Sequence, residues 1–396
     1  MNPEAHSDYS HIVKIRHHLH AHPELRFEER ATSSFVAKIL RENGLSVEEG
    51  IGGYGVVATL KRGTSDKAIA LRADMDALPL QELNTFQHAS QHGGKMHACG
   101  HDGHTAILLG AAMALSRSTD FDGTLHFVFQ PAEEGGAGAK RMIDDGLFER
   151  FKIDAIYGIH NWPGLPAGSF GVRQGGLMAS SNTFNVKLSG KGSHAGQPHQ
   201  SVDPVMAAVH LAQALQTILS RNVDPNVAAV LSVTQIHAGT ADNIIPERAT
   251  LSGTVRTFDS DTLDLIENRM AALTDNVAAA FAVDAEFHFN RLYPALINHD
   301  RETQKAVEAM VATVGHDRVQ AQIDRSFASE DFSFFLQQKP GCYAFLGNGV
   351  LPTDCSSDMP ISQQLHSPLY DFNDDIIAPG ISYWLTLVKT ALPRQA

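Results

Sequence analysis

A chain of 396 residues with a formal net charge of −13 exceeds what one hydrophobic core serves, so two domains are the expectation. Its 43% hydrophobic and 19% charged residues exclude disorder, and the acidic balance argues against a nucleic-acid partner, because phosphate backbones are repelled. Three cysteines, Cys99, Cys342 and Cys355, make no disulfide framework and fit a reducing compartment.

The N-terminus lacks the basic and apolar regions of a signal peptide, and no apolar run is long enough for a bilayer. The expectation is a cytoplasmic protein with no membrane partner. Histidine is the outlier, with 21 copies.

In chain order, "HIVKIRHHLHAHPELRFEERATSSFVAKILRENG" reads as two helices broken near His22-Pro23, since proline disrupts a helix interior and displaces the residue before it. Gly44 stops the second helix. "GYGVVATLKRG" and "KAIALRADMDALP" read as strands. "MHACGHDGHTAILLGAA" then leads into a predicted helix over 104–117. "GTLHFVFQPAEEGGAGA" is a strand entering a glycine-rich loop, and "IDAIYGIHNWP" is another strand. Such alternation predicts an α/β sheet with helices on both faces.

The character changes near residue 182. "NTFNVKLSGKGSHAG" alternates like a half-exposed strand, and a helix marked by Asp203-Pro204 follows. Two strands, a helix and a strand complete β-α-β-β-α-β, the ferredoxin-like pattern. The chain then returns to helix, "PGCYAFLGNG" and a final helix from Asp374. The expected organisation is a discontinuous α/β domain, 1–182 and 296–396, interrupted by a small domain at 183–295.

The chemistry-bearing residues fall at strand ends: Asp74 and Asp76, then Glu133 and Glu134, then His160. In open α/β sheets the binding crevice lies outside the carboxyl ends of the strands, so these residues are placed to converge. Cys99 and His101 flank Gly100, a spacing that lets both turn toward one point. Thiolate and imidazole suit zinc and other borderline metals. The same pair also reads as a core cysteine beside a satisfied histidine, or as a nucleophile with a histidine base. The density of His97, His101, Asp102 and His104 favours a metal.

Glu133-Glu134 reads as a solvated pair, or as one metal ligand beside a carboxylate that accepts a proton from activated water. His160 and His366 are lone histidines, packed or capping unless they join a set. His194, among glycines, reads as a hairpin turn or as a side chain held toward a cleft. Asn243 and Arg256 complete the candidates. Arg256 reads as a snorkelling sheet residue or as a grip on a substrate carboxylate.

In fixed order, "LRADMDALP", "MHACGHDGHTAILLGAA", "FQPAEEGGAGA", "GIHNWP", "GKGSHAGQPH", "NIIPERATLSGTVRTF", "SEDFSFF" and "LHSPLYDFND" resemble the M20 metallopeptidase family, in its amidohydrolase branch of hippurate hydrolases, N-acyl-amino-acid amidohydrolases and auxin-conjugate hydrolases. The resemblance spans nearly the whole chain. It implies a catalytic α/β domain binding two divalent ions, with an inserted ferredoxin-like domain as lid and dimerisation surface. It further implies a homodimer, with a tetramer as the alternative.

Carried over position by position, the metal ligands are Cys99, His101, Glu134, His160 and His366. Glu133 is the general base and Asp76 a carboxylate that orients a ligand. His194 holds the substrate or the oxyanion, and Asn243 and Arg256 contact the substrate's carboxylate end. The implied reaction cleaves the amide of an N-acyl amino acid. Cysteine ligation favours zinc, manganese, cobalt or nickel over magnesium. Gly196 stands where relatives often carry a larger residue, which bears on substrate size. Two alternatives predict different behaviour: a cysteine-nucleophile hydrolase using Cys99, and a non-catalytic dimer that binds a small molecule on the same fold.

Overall fold

The structure, a computed structural model, describes residues 3–349 and 364–394; Cys355 lies outside them. The chain forms two compact units. The first comprises Met1–Gly175, Asn298–Asp324 and Phe334–Ala396, and the second Gly176–Ile297 with Arg325–Ser333.

The first unit opens with α1 (Pro3–Ala21) and α2 (Arg30–Glu42). Between them the Glu24 carboxylate accepts from the backbone N–H of Ala31 (3.1 Å) and Thr32 (2.8 Å). It thereby satisfies donors that the first turn of a helix leaves open. α2 buries Val36, Ala37, Ile39 and Leu40, and Gly44 follows it in the left-handed region at φ 78°, where glycine carries no Cβ penalty.

Next come β1 (Ser46–Ile51), β2 (Gly55–Arg62), β3 (Ala68–Asp74), α3 (His101–Ser116), β4 (Gly123–Gln130) and β5 (Ala155–Pro163). Together with Phe170–Gly171, Val319–Gln320 and Gly341–Gly349 they build an eight-stranded mixed sheet. Its order is β1-β2-β4-β3-β5, then Gly341–Gly349, Phe170–Gly171 and Val319–Gln320. The four central strands, β4, β3, β5 and Gly341–Gly349, run parallel. Every residue of β3 is buried, as a strand covered on both faces requires. Helix α3 packs on α1 and on the C-terminal helix Ile377–Ala391. Gly110 makes that packing possible, because a Cβ there would lie 2.4 Å from Ile381, and Gly103 leaves room for Phe372 in the segment before the C-terminal helix, 2.3 Å from where a Cβ would sit.

Two local differences from the sequence reading have physical causes. Strand β1 was not expected; it is an edge strand with only Ile51 buried, so it lacks a period-two signal. Helix α3 begins at His101 rather than 104, because Gly100 turns the chain at φ 89° and lets the helix start directly after it.

The second unit is a four-stranded antiparallel sheet with two helices. In space the order is Ala229–Ala238, Arg248–Thr257, Ser181–Ser189, Asp284–Tyr293, the ferredoxin-like arrangement. Phe184, Val186 and Leu188 alternate with less buried residues along Ser181–Ser189, as do Ala249, Leu251 and Val255 along Arg248–Thr257. Helices Pro204–Arg221 and Ser260–Phe281 cover that apolar face. Asp203 caps the first by accepting from Val205 N–H at 2.8 Å, and Asp259 the second by accepting from Thr262 N–H at 2.7 Å, the ordinary N-cap function. Among the described residues no helix is long and apolar enough to cross a membrane.

Candidate metal centre

The parallel strands deliver their carboxyl ends to one edge of the sheet. Asp74 at the end of β3 pairs in register with Gln130 at the end of β4, and His160 on β5 pairs with Phe345. Gly100 lies between Cys99 and His101 in a conformation that L side chains avoid. A Cβ there would sit 2.2 Å from Asn161 Nδ2, so glycine is required twice over.

Cys99, His101 and His160, all buried, each place a ligand atom within 4.8 Å of the others, and Cys99 Sγ lies 3.4 Å from His160 Nε2. Cys99, Glu134 and His366 make a second such group, and His101, Glu133 and Glu134 a third. The groups overlap through Cys99, Glu134 and His101, an arrangement that fits two adjacent ion positions.

The donor set passes a stricter test. His101 Nδ1 is engaged by the Asp76 backbone carbonyl at 2.9 Å, while its buried Nε2 has no hydrogen-bond partner among the described residues. His160 Nδ1 donates to the Asn161 carbonyl at 2.6 Å, leaving Nε2 on the side of Cys99. One ring nitrogen anchored and the other left facing a cluster of donors is how metal-binding histidines are held.

Electrostatics agree. Burial pushes the Cys99 thiol well above its ordinary value, and Glu134, Glu133 and Asp74 push the same way. The thiol is therefore neutral, which makes Cys99 a poor nucleophile by itself. Burial lowers His160 well below its ordinary value, helped by His104, so it presents a neutral imidazole. Burial works against a charge on His101, yet Asp74, Asp76 and Glu134 push it up to about 10. Positive charge is thus favoured at this spot by its carboxylates. Cys99, His101, Glu134, His160 and His366 fit divalent ions with a taste for sulfur and nitrogen.

The Glu133-Glu134 segment is fixed through its backbone. Ala132 sits in the left-handed region at φ 56°, and its N–H donates to Glu29 Oε1 at 2.8 Å. The next two N–H groups, of Glu133 and Glu134, donate to Asp76 Oδ1 (3.0 Å) and Oδ2 (2.9 Å). Two buried carboxylates thus grip three successive amides. Gly138 closes the loop, since a Cβ there would lie 1.6 Å from the Pro131 carbonyl. His366 also has a positive φ, 65°. Its N–H donates to the Ala98 carbonyl at 2.7 Å, and its Nε2 lies 3.1 Å from Glu134 Oε1.

Behind these residues runs a buried polar network. Arg72 donates to Gln130 (2.8 Å) and Asp74 (2.6 Å), and Asp74 accepts from His104 Nδ1 at 2.7 Å. Burial would raise Asp74, but Arg72, His101 and His104 hold it well below its ordinary value. Asp102 pairs with His20 (2.8 Å) and Arg16 (3.5 Å). His104 and Asp102 therefore serve as partners of other side chains. Among the described residues, His97 is buried with no partner for either ring nitrogen and belongs to none of the candidate ligand groups.

The remaining candidates belong to the second unit. His194 and Asn243 line one surface cavity of ≈500 Å³ with Ile244, Pro246 and Glu247, and Ala195 N–H donates to the Asn243 carbonyl at 2.9 Å. Arg256 lies elsewhere, on the strand Arg248–Thr257 opposite Val230, half-buried. Burial lowers its guanidinium below the ordinary value.

Residues 70–390 match the peptidase family M20/M25/M40. The chain belongs to this family. It is 43% identical to the hippurate hydrolase of Campylobacter jejuni over 94% of both chains. It is 41% identical to an N-acetyl-L-cysteine deacetylase of Bacillus subtilis, over 94% of this chain and 86% of that one. Among solved structures it resembles the YXEP protein of Bacillus subtilis, a dinuclear metal-binding peptidase of the M20 family, with a TM-score of 0.84, 32% identity and coverage of 98% and 99%. The chain is thus a hydrolase of the amidohydrolase branch.

Five M20 ligand candidates, with Glu133 and Asp76, gather on the first unit. Sequence reading missed the residues that hold them: Glu29, Arg72, Asn161 and Tyr370. Arg72 had a legible signal, a cation two residues before Asp74 inside the otherwise apolar strand "AIALRAD", which marks a buried ion pair. Tyr370 had none, because its partner Asn161 is far away in the chain.

Proposed function

We propose that this M20 hydrolase cleaves the amide bond of N-acyl amino acids, with an aroyl, aryl-acetyl or acetyl group on nitrogen, to a carboxylic acid and a free amino acid. The single observation that carries the reading is the clustering of Cys99, His101 and His160 beside Glu133 and Glu134, taken with relatives named hippurate hydrolase and N-acetyl-L-cysteine deacetylase.

Cys99, His101, Glu134, His160 and His366 would hold two divalent ions: zinc, manganese, cobalt or nickel. When bound, such ions act as Lewis acids on the amide carbonyl and lower the pKa of water. Glu133 takes the proton from the attacking water and passes it to the leaving nitrogen. Asp76 keeps Glu133 in place through its backbone N–H and sets the tilt of the His101 ring. The low accessibility of Cys99, His101 and Glu133 excludes bulk water, which strengthens every charge interaction at the reacting carbonyl.

On the second unit, His194 and Asn243 share a cavity, and Arg256 offers a planar cation to a substrate carboxylate. The same reading makes that unit a lid and a dimerisation surface, with His194 supporting the oxyanion.

The test is release of free amino acid from N-benzoylglycine, N-acetyl amino acids and an indole-acetyl conjugate. Chelator-stripped protein is assayed alone and with manganese, cobalt, zinc or nickel. Cleavage restored by metal supports the proposal. Absence of cleavage with every ion and substrate, from protein that binds two ions per chain, overturns the substrate class.

A further inference from the structure

Asn161 follows His160 in the chain and is 1% exposed. All of its polar groups are engaged. Its backbone N–H donates to His104 Nε2 at 2.9 Å, and its carbonyl accepts from His160 Nδ1 at 2.6 Å. Its side-chain Nδ2 donates to the Cys99 carbonyl at 2.6 Å. Its Oδ1 accepts from the Tyr370 hydroxyl at 2.6 Å. A single residue therefore touches the Cys99 loop, the His160 ring, helix α3 through His104, and the segment that follows His366.

The chemistry at 161 is specific to an amide. The Cys99 carbonyl needs a donor, and the Tyr370 hydroxyl needs an acceptor. Only a side chain with an NH₂ and an oxygen on one planar head meets both demands. An aspartate would set an anionic oxygen against the Cys99 carbonyl. His104 cannot relieve this, because its Nδ1 is committed to Asp74, which leaves Nε2 as an acceptor. Asn161 also explains the glycine of the C-x-H motif: a Cβ on Gly100 would lie 2.2 Å from Asn161 Nδ2 and 2.7 Å from the Tyr370 hydroxyl.

We infer that Asn161 is a positioning residue that fixes Cys99 and His160 relative to one another, and couples them through Tyr370 to the segment carrying His366. The inference rests on the reading of Cys99 and His160 as ligands. It gives the residue after His160 a role that metal-ligand spacing alone does not reveal. Outer partners of this kind typically change metal affinity about 10- to 100-fold when removed.

The experiment uses cobalt(II) as the probe on the full chain. Wild type, Cys99→Ser, Asn161→Asp and Tyr370→Phe are titrated with cobalt while the thiolate-to-cobalt charge-transfer band and the ligand-field bands are recorded. Circular dichroism confirms folding. Wild type is expected to show the charge-transfer band and Cys99→Ser to lack it. If both show it or both lack it, the ligand reading fails, and the inference with it. Given that control, Asn161→Asp should fold, bind cobalt about 10- to 100-fold more weakly and shift the ligand-field bands, with Tyr370→Phe changed in the same direction but less. Wild-type affinity and spectra in both variants would overturn the inference and leave Asn161 a structural residue. Should Asn161→Asp fail to fold, Tyr370→Phe decides alone: a weakened, shifted spectrum supports the coupling and an unchanged one overturns it.

Discussion

The carboxylate of Asp76 accepts the backbone N–H of Glu133 on one oxygen and that of Glu134 on the other, at 3.0 and 2.9 Å. The same residue engages His101 through its main-chain carbonyl. It links a metal-ligand candidate, the proposed base and a second ligand candidate without itself belonging to the three ligand groups that carry the reading.

Asp76→Asn keeps the volume but turns one acceptor into a donor that faces an N–H. The expected result is a loss of about 1–3 kcal/mol in stability and weakening of metal binding by about 10- to 100-fold. Denaturant titration and competition with a chromogenic chelator measure the two effects. An unchanged metal affinity would remove Asp76 from the site's support.

Glu133→Gln removes the proton acceptor while leaving the Asp76 contact to its backbone. Turnover should fall by about 10²- to 10⁴-fold with two ions still bound per chain. Elemental analysis beside steady-state kinetics makes the comparison. Near-wild-type turnover would assign the proton to another group.

Metal removal should abolish activity and lower thermal stability together. Zinc, manganese, cobalt or nickel should restore both, and magnesium neither, because a thiolate ligand disfavours a hard ion. At an ion concentration one hundred times the dissociation constant, the stabilisation amounts to about 2.7 kcal/mol for one site. Calorimetry of stripped and reloaded protein measures it, and a stripped enzyme that still turns over would sink the metal requirement.

His126 gives a pH dependence remote from the metal ligands. It is buried in β4; Thr59 Oγ1 lies 2.9 Å from its Nδ1, and the Lys152 carbonyl 3.0 Å from its Nε2. Burial pushes it from 6.5 down to about 4. The unfolded chain therefore takes up this proton first as pH falls. The contribution of the neutral ring is complete above pH 6.5 and is lost between there and about 4, amounting to at most about 3 kcal/mol. Unfolding curves across that window should flatten in His126→Gln. Equal slopes for the two proteins would rule the residue out.

Cys99, His101, Glu134 and His160 were legible because they lie near a strand end or helix start and carry side chains that are costly to bury without a partner, whereas His366, in a turn, stood out only through the family resemblance. The ferredoxin-like unit was legible from clean alternation, as in "NTFNVKLS", and from Asp203-Pro204. The supporting residues were not. Glu29 reads as a surface charge in "RFEER" yet is fully buried under Ala132. Asn161 reads as an ordinary polar residue near a strand end, and its role depends on Tyr370, which only the folded chain brings near. Sequence exposes chemistry that is local in the chain, whereas support comes from pairings set by the sheet.

The central parallel strands are not contiguous in the chain: β5 finds its neighbour in Gly341–Gly349, beyond the whole second unit. A growing polypeptide therefore exposes Cys99, His101, Glu134 and His160 long before Tyr370 and His366 are made. During synthesis the sheet has an open edge at β5, and a pairing so distant in sequence is slow to form. On the proposed reading, truncations that remove the C-terminal segment should yield chains that hold metal loosely.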